Sequence, residues 1–123
     1  MKQIMIIVFV FCGVATASAS ICPDPQGTSL AWGKPPAPWQ INPSSLQRPQ
    51  VDDNTRFLKA NILVAGVGQG ISCTYENSLG QYSIWWQVRS KIPSRQELYW
   101  VATVGGYVCS ASLEECVFQA AIE

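Results

Sequence analysis

Residues 70 to 88 read Gly70-Ile-Ser-Cys-Thr-Tyr-Glu-Asn-Ser-Leu-Gly-Gln-Tyr-Ser-Ile-Trp-Trp-Gln-Val88. Ile71, Cys73 and Tyr75 share one side of the first run, and Tyr82, Ile84, Trp86 and Val88 share one side of the second. Glu76 to Gly80 lies between them with turn chemistry. A period of two on both sides of a turn predicts a β-hairpin with one core face. Ser83, Trp85, Gln87 and Arg89 fall on the opposite side. Trp85 is the odd member there, a large ring in polar company.

Working outward, Phe57 to Ala65 alternates in the same way. Leu58, Ala60, Ile62 and Val64 take one side, and Phe57, Lys59, Asn61 and Leu63 the other, so another strand is expected. Val51 to Thr55 is a polar turn before it, and Gly66 to Gly70 a turn after it. The glycine spacing there is neither G-x-G-x-x-G nor a Walker sequence, and no helical pattern follows. Beyond the hairpin, Lys91 to Glu97 is a polar connection, and Leu98 to Val104 supplies a further strand, turned by Gly105-Gly106. Ser112 and Glu115 stand at capping-box spacing, which predicts one helical turn. Val117 to Ile122 ends the chain as a short strand with Phe118 as its packing residue.

Upstream the character changes. Pro23, Pro25, Pro35, Pro36, Pro38, Pro43 and Pro49 each remove a backbone donor and fix φ, so neither helix nor central strand can run from Ile21 to Gln50. The segment still holds Leu30, Trp32, Trp39, Ile41 and Leu46. It is expected to be an arm (residues 20–50) laid on a β-domain (residues 51–123).

Residues 1–19 read as a cleaved secretory signal. Lys2 is the positive region, Ile4 to Val14 the apolar one, and Ala17-Ser18-Ala19 the small-residue cut site. The apolar stretch fades too soon for a spanning helix, which needs about 20 residues. Stable membrane insertion after cleavage is not expected, and the protein is expected to be secreted or periplasmic.

Of the five cysteines in the chain, Cys12 leaves with the signal. Cys22, Cys73, Cys109 and Cys116 form an even set in an exported chain, which reads as two disulfides. Three pairings are open. Cys109 with Cys116 would staple one short turn, which leaves Cys22 with Cys73 to tie the arm to the hairpin; these are the expected pairs. The spacings hold no C-x-x-C and the chain has no histidine, so no metal and no cofactor is expected.

The missing histidine also removes the commonest general base and nucleophile activator. A carboxylate pair could still hydrolyse an extracellular polysaccharide, with candidates Asp24, Asp52, Asp53, Glu76, Glu97, Glu114 and Glu115. All lie in segments read as loops or caps, where acids serve solvation and turns, and a non-enzymatic protein is the expectation. Asp52, Asp53 and Asn54 have calcium-ligand chemistry but read better as a solvated turn. Loss of Lys2 leaves seven of the eight basic residues against eight acidic ones. With no basic run, nucleic acid is not an expected partner.

The five tryptophans are the functional lead. Trp86 reads as core. Trp85, Trp39, Trp32 and Trp100 are the candidate binding residues, since rings on a rigid sheet suit the flat faces of sugars or hot-spot contacts with a protein. Trp39 could alternatively anchor the Lys34 to Trp39 loop on the core, or cover the face that carries Trp85.

The order of Cys22-Pro23, Pro38-Trp39, Cys73-Thr74-Tyr75 and Cys109 to Cys116-Val117-Phe118 resembles a family of small exported bacterial proteins of uncharacterised function. The resemblance implies export and a disulfide-bonded β-rich domain, and it brings no catalytic residues. The sequence therefore predicts a mainly β protein, a small antiparallel sheet or sandwich of about five strands, closed by a proline-rich arm and two disulfides. Its expected function is binding of a glycan or a protein. A carboxylate hydrolase is one alternative, and a structural or inhibitory module docking the rigid Glu76 to Gly80 loop is another. The oligomeric state is not legible.

Overall fold

The computed structural model describes residues 16–64, 69–93 and 97–122. Most of the signal segment, the glycine turn at 65–68 and residues 94–96 of the polar connection lie outside the described residues.

The opening hairpin is the centre of the molecule. β4 (Gly70–Asn77) and β5 (Gly80–Trp86) pair antiparallel from Ile71↔Trp86 to Asn77↔Gly80. β3 (Arg56–Leu63) lies on the other side of β4, and β7 (Gly106–Cys109) on the other side of β3. β6 (Val101–Thr103) and β2 (Gln40–Ile41) form the two edges, giving one six-stranded sheet in the order β2-β5-β4-β3-β7-β6. A second, two-stranded sheet joins β1 (Thr16–Ser20) to β8 (Phe118–Ile122), and Ser90 bridges to Ala120. The fold is mainly β and antiparallel, as the alternation predicts. The described residues form eight strands where about five were expected: β2 hides two ladder residues inside the proline arm, β1 overlaps the expected signal, and β7 forms from the residues after the Gly105-Gly106 turn.

Two details differ from the sequence reading. The β3–β4 register shifts between Phe57 and Lys59. This bulge places Phe57 opposite Tyr75, with their rings in a T-shaped contact at 6.0 Å, and it joins the core side rather than the side of Lys59. Leu58 is the residue displaced. The strand expected over Leu98 to Val104 is also shorter. Leu98 and Tyr99 form a turn, and only Val101–Thr103 enters the ladder.

The inner face is built in rows across the strands. Cys109, Ala60, Cys73 and Ile84 form one, and Tyr107, Ile62, Ile71 and Trp86 the next. Ala60, Ile62, Ile71, Cys73, Ile84 and Cys109 are all buried. Covering them are Cys22, Leu30 and Trp39 from the arm and Cys116, Phe118 and Ala120 from the C-terminal segment. Burial of each of the Leu, Ile and Phe side chains among them stabilises the fold by about 1.5–3 kcal/mol before entropy is counted. The disulfides are Cys22–Cys73 and Cys109–Cys116. The first sits in the middle of the hairpin's core face. Beside it the Tyr75 hydroxyl donates to the Pro23 carbonyl at 2.6 Å, so the arm is clamped twice in adjacent residues.

The segment closed by the second disulfide carries the expected capping box. The Ser112 hydroxyl accepts from the Glu115 amide at 3.2 Å, and Glu115 Oε1 accepts from the Ser112 amide at 3.2 Å.

Candidate functional site

Adjacent residues on a strand face opposite ways. Trp86 points inward and packs edge-on against Trp39 at 5.7 Å and Phe118 at 6.4 Å. Trp85 therefore lies on the outer face. Trp39 is 8% exposed and belongs to the inner cluster, so it anchors the arm and does not cover Trp85. Trp39 is also in edge contact with Phe118 at 6.0 Å, which links the arm to the C-terminal strand.

The outer face has a register of its own. Gln40, Trp85, Ser72, Asn61, Val108 and Val101 stand side by side across all six strands. Five inter-strand steps of about 4.8 Å make this row roughly 24 Å long. Next to it run Ser83, Thr74 and Lys59, and beyond them Gln81, Glu76 and Arg56. The charges in the third row neutralise each other, because Arg56 and Glu76 form an ion pair.

Side chains near Trp85 are held in place by one another. Asn42, just past β2, donates from its amide to the Ser72 hydroxyl at 3.3 Å. The Thr74 and Ser83 hydroxyls are 3.0 Å apart and share a hydrogen bond. Ser72 and Thr74 are buried despite lying on the outer face, and these bonds satisfy them. Each hydroxyl has a further lone pair, and the amides of Gln40 and Asn61 offer donors and acceptors together. The face thus combines one half-buried indole with neutral hydrogen-bonding groups, and Lys59 is the one charged side chain in the first two rows.

The remaining tryptophans are scattered. Trp32 ends a 3₁₀ turn, Ser29–Trp32, started by Thr28 and stopped by Gly33 at φ 81°. That turn buries Leu30 and leaves Trp32 77% exposed, well away in sequence and register from Trp85. Trp100 is half-buried, and its Nε1 donates to the Val117 carbonyl at 2.8 Å. Of the four sequence candidates, Trp32 is exposed, Trp85 and Trp100 are half-buried, and Trp39 is buried.

The hairpin tip is braced. Asn77 Oδ1 accepts from the Leu79 amide at 2.9 Å, Gln47 donates to the Leu79 carbonyl, and Asp52 accepts from the Ser78 hydroxyl and amide. Asp52 also accepts from the Asn54 amide at 2.8 Å. These bonds, the Ser78 hydroxyl first, hold its carboxyl below the usual range. Asp52 thus serves the turn, and Leu79 projects from the tip in an exposed position.

Among the candidate acids, Asp24 accepts from the Gln26 amide and Glu76 is paired with Arg56. Glu97 and Glu115 line a common groove, of about 210 Å³, with Leu98, Tyr99, Trp100 and Val117. The hydrogen bond from the Ser112 amide, followed by those of Tyr99 and the Ser112 hydroxyl, lowers the Glu115 pKa. A catalytic general acid needs the opposite shift. A neighbouring cavity of about 140 Å³ lies between Lys91 to Pro93 and Val117 to Gln119. Among the described residues there is no grouping of three or more His, Cys, Asp or Glu able to hold a metal, and no helix long and apolar enough to cross a membrane.

The matching family model spans residues 16–119, which takes in the whole six-stranded sheet, β1 and the first two residues of β8. The chain belongs to DUF3757, a family of proteins of unknown function. Comparison with curated proteins and comparison with solved structures find no match. The DUF3757 assignment agrees with the resemblance read from the cysteine and aromatic motifs in one respect, an uncharacterised family, and it brings no activity to the outer face. The chemistry of that face must be argued from its own residues.

Proposed function

We propose that this DUF3757 protein is a secreted or periplasmic, non-enzymatic binding protein that takes a neutral glycan on the outer face of its sheet. The observation that carries the reading is the row Gln40, Trp85, Ser72 and Asn61, with Asn42 bonded to Ser72. A sugar ring has an apolar face and an equatorial belt of hydroxyls. An indole set in a rigid sheet suits the first, and fixed amides and hydroxyls suit the second. The near-absence of charge in the two rows favours an uncharged saccharide over a phosphate or a uronic acid. A row about 24 Å long suits an extended chain.

Export is supported by the signal-like N-terminus and by two disulfides, which persist in oxidising compartments. Cleavage after Ala19 would remove β1 except for Ser20. Intact mass and N-terminal sequencing of the protein recovered from the periplasm or medium test this part, and a chain still carrying residues 1–19 would count against it.

For binding, a panel of neutral oligosaccharides is screened with the native protein, Trp85→Ala and Trp32→Ala. The reading requires hits that Trp85→Ala loses and Trp32→Ala keeps. Hits retained by Trp85→Ala would refute it. A second reading, docking of the hairpin tip into a protein partner, is favoured by the bracing around exposed Leu79. Exchange of Ser78-Leu79 that leaves pull-down partners unchanged would count against that one.

A further inference from the structure

The groove beside Trp100 has a chemistry that the outer face lacks. Tyr99 and Trp100 supply rings, Leu98 and Val117 supply apolar walls, and Glu97 and Glu115 supply carboxylates. Among the described residues, no basic side chain lines it. Its volume of about 210 Å³ suits one side chain or a small molecule rather than a polymer.

The groups in the groove are fixed. Trp100 is pinned through Nε1 to the Val117 carbonyl, which joins the turn before β6 to the residue before β8. Glu115 Oε1 is held by the Ser112 amide at 3.2 Å, and the Tyr99 side chain stands beside it. A carboxylate has about four lone-pair sites, so these contacts leave Glu115 able to accept more. They also favour its anionic form. Glu97 is engaged by a neighbour of its own and shares the adjoining cavity, so it closes the groove without being needed as a free acceptor.

A carboxylate held beside two aromatic rings and an apolar wall is the chemistry that recognises an organic cation with an apolar stem. The ring faces attract the positive charge, the carboxylate pairs with it, and the wall takes the methylenes. An anion is repelled, and a bare metal ion would find one available carboxylate where hard cations need six or more oxygens. We infer that the groove lined by Tyr99, Trp100 and Glu115 binds a guanidinium or alkylammonium group, such as an arginine side chain offered by a partner. This site is separate from the outer face and does not depend on the glycan reading.

The test uses the full exported protein and two probes of the same shape, Nα-acetyl-arginine methylamide and Nα-acetyl-citrulline methylamide. Binding is followed by the Trp100 indole N–H resonance. The arginine probe should shift that resonance saturably and bind about tenfold more tightly than the uncharged probe. Glu115→Gln, which keeps an oxygen for the Ser112 amide, should remove that preference. Tyr99→Leu, at an exposed position, should weaken the arginine probe several-fold, and Trp85→Ala should leave it unchanged. Equal binding of the two probes, a preference that survives Glu115→Gln, or no shift at Trp100 would each overturn the assignment.

Discussion

Trp85 and Ser72 stand directly opposite each other on β5 and β4, on the face of the sheet turned away from the core. Their neighbours in sequence, Trp86 and Ile71, are paired on the other face and packed under the arm. A single step along each strand thus separates a structural tryptophan from one with a free role. The difference comes from the period of two in the backbone, and it is the basis of the functional reading.

The two stacked tyrosines of the hairpin should behave oppositely when truncated. Tyr75 and Tyr82 lie ring on ring at 5.3 Å, and both are buried. The Tyr75 hydroxyl serves Pro23, whereas the Tyr82 hydroxyl has no partner. Tyr75→Phe leaves a buried carbonyl unsatisfied and should cost about 1–3 kcal/mol in urea unfolding. Tyr82→Phe removes an uncompensated polar group and should be neutral or stabilising. Equal losses in the two variants would contradict the assignment.

The disulfides should contribute unequally. Their sequence separations are 51 for Cys22–Cys73 and 7 for Cys109–Cys116. Chain entropy predicts about 4 kcal/mol for the longer loop and about 2.5 for the shorter. Cys22→Ser with Cys73→Ser should therefore lower the unfolding midpoint further than the other double variant. A non-reduced digest analysed by mass spectrometry should recover both linked pairs, and a different linkage would overturn the topology.

Alkali should unfold the protein over a defined window. Burial raises the pKa of Tyr75 well above its ordinary value of 10.0, with smaller contributions from Tyr82 and Asp24. Burial likewise pushes Tyr82 up to about 12. Both phenols are neutral when folded and ionise more readily when unfolded, so the stability they contribute is complete below pH 10. It is lost as pH rises through about 12. Absorbance at the phenolate band should show two tyrosines ionising together with the loss of tertiary signal. Ionisation of all tyrosines near pH 10 with the fold intact would contradict this.

Gly106 is required by close approach. A Cβ there would run into the Ile62 carbonyl oxygen and come within 2.9 Å of the carbonyl carbon, where β7 meets β3. Gly106→Ala should separate the strands and cost at least about 1–3 kcal/mol. Gly105 has φ +85° but open space around it, so Gly105→Ala should cost only about 1 kcal/mol of backbone strain. Thermal melts of the two variants should rank in that order.

The parts of the fold that follow local rules were legible. The hairpin, its inward and outward sides, the Ser112 to Glu115 cap and the packing role of Phe118 all rest on period, turn chemistry or spacing. What was not legible depends on contacts distant in sequence. The Phe57 bulge interrupts the alternation and is visible only through its pairing with Tyr75. β2 is two residues long and lies at the sheet edge, in a segment whose prolines exclude only a helix or a central strand. The site was partly legible, since Trp85 stands out among polar neighbours on its own strand. Asn42, Ser72 and Asn61 come from three other segments, and nothing in their local sequence joins them to it. The Glu115 to Tyr99 contact was missed for the same reason.

The proposed function places a neutral saccharide across the outer face against the Trp85 ring. Its most direct test is a titration of the ¹⁵N-labelled protein with the best-binding oligosaccharide from the panel, following the five indole N–H signals assigned by substitution. The Trp85 signal should shift saturably, with matching changes at the Asn61 and Gln40 amides and none at Trp32. A shift centred on Trp32 or Trp100, with Trp85 unmoved at saturation, would contradict it.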